Sequence, residues 1–265
     1  MASVSQRVAA HIKGQDISFR QTVFQLSSAQ KTAAAGAPPY SIYVNRKAGK
    51  YVAAAAHRIG WSPNAISCVS AVLTFSGITL LAAAPSSWWV GITVWSMLAL
   101  GYVFDSADGQ VARLRGISSP AGEWLDHVLD CAKLPSLHLA VLIAAYRNFH
   151  LSNDVWLLVP ILYSAIASVA FFSMILNDHL KTIHSGPPRS AGKKKRSVIK
   201  SIALLPTDYG ALCFLFVFLG SESIFISLYS LFFLANAGHL LLASFKWFND
   251  MKNLETVVTE TTLGD

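Results

Sequence analysis

Of the 265 residues, 53% are hydrophobic and only 13% charged, and the formal net charge is +7. That balance excludes an ordinary soluble enzyme and a disordered chain, and it describes an integral membrane protein. The three cysteines, Cys68, Cys131 and Cys213, are an odd, scattered set in apolar segments, which excludes a disulfide framework and a zinc site and leaves them as small core residues.

Residues 1–39 mix Ala, Ser and Gln with isolated cations and close on Gly36-Ala37-Pro38-Pro39. They lack an apolar stretch of signal-peptide length and read as a flexible or weakly helical cytoplasmic extension. Over 40–60, Tyr43, Val44, Tyr51, Val52 and Ala55 recur on one side of a helix while Arg46, Lys47, Lys50 and Arg58 supply charge. This pattern predicts an amphipathic juxtamembrane helix on an anionic leaflet, ended by Gly60 and Pro63. Ser62-Pro63-Asn64-Ala65 then opens a membrane helix, with a capping residue before a first-turn proline.

Six transmembrane helices are predicted, at about 65–84, 88–112, 120–146, 153–178, 199–219 and 222–245, each near the ~20 residues a bilayer core requires. The fold class is therefore all-α and polytopic, with the membrane domain over 61–248 and a disordered tail over 249–265. Pro160 and Pro206 interrupt two of the spans. Eight Lys/Arg precede the first span, Arg113 and Arg115 follow the second, and seven lie in 181–200, whereas the alternate connections are almost free of cations. That alternation puts both termini and the loop after the second span in the cytoplasm.

The most informative stretch runs over 105–130. Asp105 and Asp108 are three apart and Asp126 and Asp130 are four apart, so on helices each pair shares one face. The runs 88–104 and 134–146, which flank them, carry no charge. Carboxylates in such surroundings need counter-ions, and an all-oxygen set suits hard cations, Mg²⁺ or Mn²⁺. Gly109 and Ala112 clear space beside Asp108, and Arg113 supplies a planar cation for phosphate. Carboxylates, clearance and a guanidinium together suggest a metal-bridged nucleotide diphosphate. Ser119-Pro120 starts the third span, and Lys133 stands one turn beyond Asp130, placed for an ion pair. Asp208, two residues after Pro206, is an intramembrane carboxylate that suits a binding pocket, while His239 reads as a satisfied core histidine.

Asp105-x-x-Asp108-Gly109-x-x-Ala112-Arg113, eight further residues, then Gly122-x-x-x-Asp126-x-x-x-Asp130 resembles the signature of the CDP-alcohol phosphotransferases at every fixed position and spacing. The motif covers 26 residues, and a looser resemblance in hydropathy extends over roughly 45–250. The resemblance implies transfer of a substituted phosphate from a CDP-linked lipid donor, typically CDP-diacylglycerol, to a small polar alcohol, with release of CMP. It further implies two Mg²⁺ or Mn²⁺ ions on Asp105, Asp108, Asp126 and Asp130, with Asp130 also accepting the acceptor's proton. Ser62, Pro63, Asn64, Ala65, Gly109, Ala112, Arg113 and Ser119 are the implied donor-binding positions, although capping alone also accounts for Ser62 and Ser119.

The acceptor stays open among inositol phosphate, glycerol 3-phosphate, serine and a glycan-linked or other polyol, with Arg189, Lys200 and Asp208 as candidates for its site. The implied partners are the lipid bilayer and these substrates; no nucleic acid is expected, and a homodimer is compatible with the reading. Two other functions were weighed against it. A Mg-diphosphate-dependent membrane prenyltransferase would have more spans and well-separated Asp motifs. A divalent-cation transporter would place polar residues at mid-membrane in several spans.

Overall fold

The computed structural model describes residues 18–28, 39–117, 119–185 and 205–262, and no strand occurs among them. In chain order the helices are α1 (Phe19–Ser28), α2 (Arg46–Arg58), α3 (Pro63–Ala83), α4 (Trp88–Leu114), α5 (Pro120–Asn148), α6 (Leu158–Ser185), α7 (Tyr209–Leu215) and α8 (Glu222–Thr262). A π-helical turn at Ser41–Asn45 leads into α2, and 3₁₀ turns at Asp154–Leu157, Leu205–Thr207 and Phe216–Gly220 join later elements.

Local chemistry sets these boundaries. Ser62, Ser87 and Ser119 each cap a helix by accepting from the backbone N–H three residues on, and Pro63 and Pro120 fill first-turn positions where no N–H is needed. Helix α2 ends at Gly60 (φ 77°) and α4 at Gly116 (φ 65°), conformations that only glycine adopts without strain. In both, the next amide reaches back to close the turn, Trp61 to the Ala56 carbonyl and Ile117 to that of Ala112.

Among the described residues, five segments are long and apolar enough to cross a membrane: α3, α4, α5, Asp154–His184 and Glu222–Leu254. The span expected at 199–219 takes another form. Its described part is a 3₁₀ turn around Pro206, then a shorter apolar segment, Tyr209–Gly220. Proline cannot supply the N–H that a continuous helix needs there, and Asp208 caps a fresh start. Pro160 falls in the first turn of α6 and interrupts nothing, while α5 runs on through Pro135.

The described parts of both terminal regions are helical, as the N-terminal expectation allowed and the C-terminal one did not. The described part of 1–39 includes α1, which buries Thr22 and Leu26 and shares a small core with Ala53 and Ala54 of α2, Ile66 of α3 and Val111 of α4. The helix expected on the membrane surface is thus also packed against the bundle. Helix α8 continues to Thr262, so 249–262 is not the disordered tail expected from its polarity. No Gly or Pro occurs between Gly238 and Gly264 to stop the helix, and Asp250 is tied to Lys181 of α6 at 2.5 Å. Of the cysteines, only Cys213 is buried; Cys68 and Cys131 are exposed, because they face outward from their helices.

The main core gathers Leu81, Leu98, Leu137, Val141, Phe216, Phe225 and Tyr229 from α3, α4, α5, the 3₁₀ turn after α7, and α8. Small residues set the α3–α4 seam. Ser70 Oγ donates to the Gly101 carbonyl at 2.8 Å, and a Cβ at 101 would collide with Thr74 Oγ1. Gly101→Ala is expected to destabilise the protein by about 1–3 kcal/mol through overpacking. Thr74→Ala in the same chain should recover part of that loss, read as melting temperature in detergent.

Candidate active site

The last turns of α4 and the first turns of α5 converge because the Gly116 turn and the Ser119 cap reverse the chain between them. Carboxylate oxygens of Asp105, Asp108 and Asp126 there lie within 4.8 Å of one another. Asp108 is buried and accepts from Ser67 Oγ on α3 at 2.5 Å. Asp130 stands one turn deeper, and its oxygen lies 2.5 Å from the Lys133 ammonium, which is also 3.5 Å from Asp105. Lys133 is buried, with its charge 5.3 Å above the Tyr209 ring centre.

One ammonium thus serves a neighbourhood of four carboxylates. The uncompensated charge, the all-oxygen donors and the close grouping of three of them fit hard divalent cations, which Asp105, Asp108 and Asp126 would hold. A cleft of about 220 Å³ opens over the group, lined by Arg46, Asp105, Ser106, Asp108, Gly109, Gln110, Arg113 and Asp126. The Arg113 guanidinium folds back over Gly109; a Cβ there would meet it at 3.3 Å. Backbone, guanidinium and carboxylates thereby face one small volume, an arrangement for a metal-bound phosphate ester.

With this geometry in place, the comparison with known families is decisive. The family model described as CDP-alcohol phosphatidyltransferase matches residues 61–235. The chain belongs to that family. No curated protein matches it.

As a CDP-alcohol phosphatidyltransferase, the protein is a membrane transferase that moves a phosphate group from a CDP-alcohol to an acceptor. Membership favours this reading over a prenyltransferase or a cation transporter. The structure brings Asp105, Asp108, Gly109, Arg113 and Asp126 to one cleft, while Asp130 is adjacent but engaged by Lys133. Ala112 is half-buried on α4, outside the cleft lining. Ser62, Pro63, Asn64 and Ala65 form the first turn of α3 against α5, with Asn64 Oδ1 3.2 Å from where a Cβ on Gly122 would stand. Ser62 and Ser119 both act as helix caps.

Asp208 is engaged elsewhere. Its carboxylate accepts from the backbone amides of Tyr40 at 2.7 Å, Ser41 at 3.3 Å and Gly210 at 3.0 Å, pinning the start of the juxtamembrane segment to α7. The same residue borders a second cavity of about 340 Å³ among α5, α6, α7 and α8, together with His138, Tyr163, Tyr209, Asn236 and His239. His239 is exposed rather than a core histidine. Arg189 and Lys200 lie outside the described residues.

Sequence reading missed Ser67, Arg46 and Gln110. Ser67 follows Pro63 by one helical turn, a spacing that would have put it on the face of the capping turn. Nothing local flags Arg46 or Gln110.

Ser67→Ala is expected to raise the Mn²⁺ concentration for half-maximal activity about tenfold, since losing a hydrogen bond that orients a ligand weakens metal sites by that order. Asp208→Ala should lower stability by about 2–4 kcal/mol, because buried amides lose their acceptor. Thermal melting and initial rates on the folded fraction check both outcomes.

Proposed function

We propose that the protein transfers the phosphatidyl group of a CDP-linked lipid such as CDP-diacylglycerol to the hydroxyl of a small polar alcohol and releases CMP, acting as a phosphotransferase for substituted phosphate groups. Inositol phosphate, glycerol phosphate or another polyol would serve as acceptor. The observation that carries this reading is the grouping of Asp105, Asp108 and Asp126 within 4.8 Å, beside the Asp130–Lys133 pair.

In this reading the acceptor oxygen forms a bond to the lipid-bearing phosphorus, and the bond from that phosphorus to the bridging oxygen breaks. The bridging oxygen and its electron pair leave with CMP. Asp130 takes the hydroxyl proton, while Lys133 orients its carboxylate and keeps positive charge beside it. Arg113, folded over Gly109, holds a donor phosphate, and Ser67 fixes the orientation of Asp108. Two divalent ions held by Asp105, Asp108 and Asp126, with Asp130 at the edge of the group, would neutralise the diphosphate and the departing CMP.

The orientation we propose puts this cleft and both termini on the cytoplasmic side of the cell membrane. Arg113 in the last turn of α4, Arg115 just beyond it and the cations of α2, all at the cleft end of the bundle, support it. Basic residues of 181–200, Arg189 and Lys200 among them, stay candidates for the acceptor's phosphate, and the Asp208 cavity for its body.

The test is conversion of labelled CDP-diacylglycerol by the purified protein in liposomes with a panel of acceptors, reading CMP and lipid product. Activity should vanish with a chelator and return with Mg²⁺ or Mn²⁺. Asp130→Asn should lower kcat by about 10²–10⁴-fold with little change in CDP affinity, and Asp108→Asn should also weaken CDP binding. Full turnover in excess chelator, or unchanged rates in both variants, would overturn the assignment.

A further inference from the structure

The matched family region begins at residue 61, yet the cleft is incomplete without a residue that precedes it. Helix α2 meets α4 at Gly49, where a Cβ would stand 2.9 Å from Gln110 Nε2 and 3.0 Å from Ser106 Oγ, tighter than side chains tolerate. The missing side chain lets Gln110 Nε2 donate to the Arg46 carbonyl at 3.2 Å. The first turn of α2 is thereby held against the turn of α4 that lies between Asp105 and Arg113. Arg46 arrives in the same 220 Å³ cleft as Arg113, Asp105, Asp108 and Asp126. Arg113 sits within the electrostatic reach of Arg46, and Asp108 offsets part of the repulsion.

Two guanidiniums and three carboxylates around one small volume answer opposite needs: carboxylates hold cations, and paired planar cations hold a phosphate bidentately. We infer that Arg46 and Arg113 form a clamp for a substrate phosphate presented to the aspartate group, so that the juxtamembrane helix supplies a specificity-determining residue. This rests on the transferase reading above. The shared chemistry is a phosphate monoester or diphosphate, which either the donor nucleotide or a phosphorylated acceptor can bring. Docking of α2 uses the Arg46 backbone carbonyl, so replacing its side chain leaves that hydrogen bond available.

The experiment uses the full-length protein in detergent with Mn²⁺ present. Binding of CDP and of cytidine is titrated for the wild type, Arg46→Gln and Arg46→Lys. A second arm titrates glycerol 3-phosphate onto protein saturated with CDP. If the clamp holds the donor, Arg46→Gln raises the Kd for CDP roughly tenfold or more, Arg46→Lys by less, and cytidine binding is unchanged. If it holds the acceptor, the loss falls on glycerol 3-phosphate instead. The clamp is overturned by unchanged affinity for both phosphates. It is equally overturned by parallel losses for CDP and cytidine with a lowered melting temperature, which would make Arg46 a scaffold residue. A wild type that binds CDP while Arg46→Gln behaves identically removes only the clamp; a wild type that fails to bind CDP removes the transferase reading and the clamp with it.

Discussion

Four carboxylates at the ends of apolar helices, two of them, Asp105 and Asp130, paired with the buried Lys133, form the constraint on which the structure depends. Each carboxylate loses hydration that a low-dielectric bundle cannot replace, and a single ammonium offsets only part of the charge. Such an arrangement persists where something else repays its cost, and the grouping of Asp105, Asp108 and Asp126 makes a divalent cation the economical partner. Lys133 works in the opposite sense. By taking Asp130 at 2.5 Å it separates this carboxylate from the other three and ties α5 to α4 through Asp105. Its position over Tyr209 extends the same link to α7.

Holding that charge in place requires helices that approach closely and do not slide. Gly101 lets α3 and α4 meet at backbone distance, and Ser67 on that same α3 reaches Asp108. Gly49 does the same for α2 and α4 at the cleft rim. Asp208 secures the entry to α2 from the other side, binding the Tyr40 and Ser41 amides while Tyr40 stacks toward Tyr102 at 6.3 Å. The juxtamembrane helix is therefore gripped at both its start and its first turn. A surface helix held only by lipid would leave the cleft open on that side; this one closes it with Arg46.

The second cavity is lined in part by Tyr209, which carries the Lys133 charge on its ring. Its polar side chains are largely satisfied within the bundle. His138 lies 2.7 Å from the Tyr229 hydroxyl, and Asn236 donates to Tyr163 and to the Pro206 carbonyl. Those bonds tie α5, α6, α8 and the turn before α7 into one unit, so the 3₁₀ turn at Pro206 is supported where its backbone would otherwise lack partners.

Composition and hydropathy alone determined the class, all-α and membrane-spanning, since a bilayer admits few ways to satisfy a backbone. Capping serines, first-turn prolines and terminal glycines marked most boundaries, because those preferences act over a few residues. The spacing of Asp105, Asp108, Asp126 and Asp130 was legible for the same reason: helical periodicity turns a count into a face. Tertiary structure alone decided what depends on contacts between distant segments. It grouped three aspartates, brought Lys133 to Asp105 as well as to its helical neighbour Asp130, and engaged Asp208 with amides 167 and 168 residues away in the chain. Ser67 reached Asp108 and Arg46 reached the cleft only through the approach of α3 and α2 to α4, which no local pattern encodes. Likewise α1 reads as weakly helical at most and the continuation of α8 as unstructured, and burial of Leu26 and the Lys181–Asp250 pair give them partners that only the folded chain supplies.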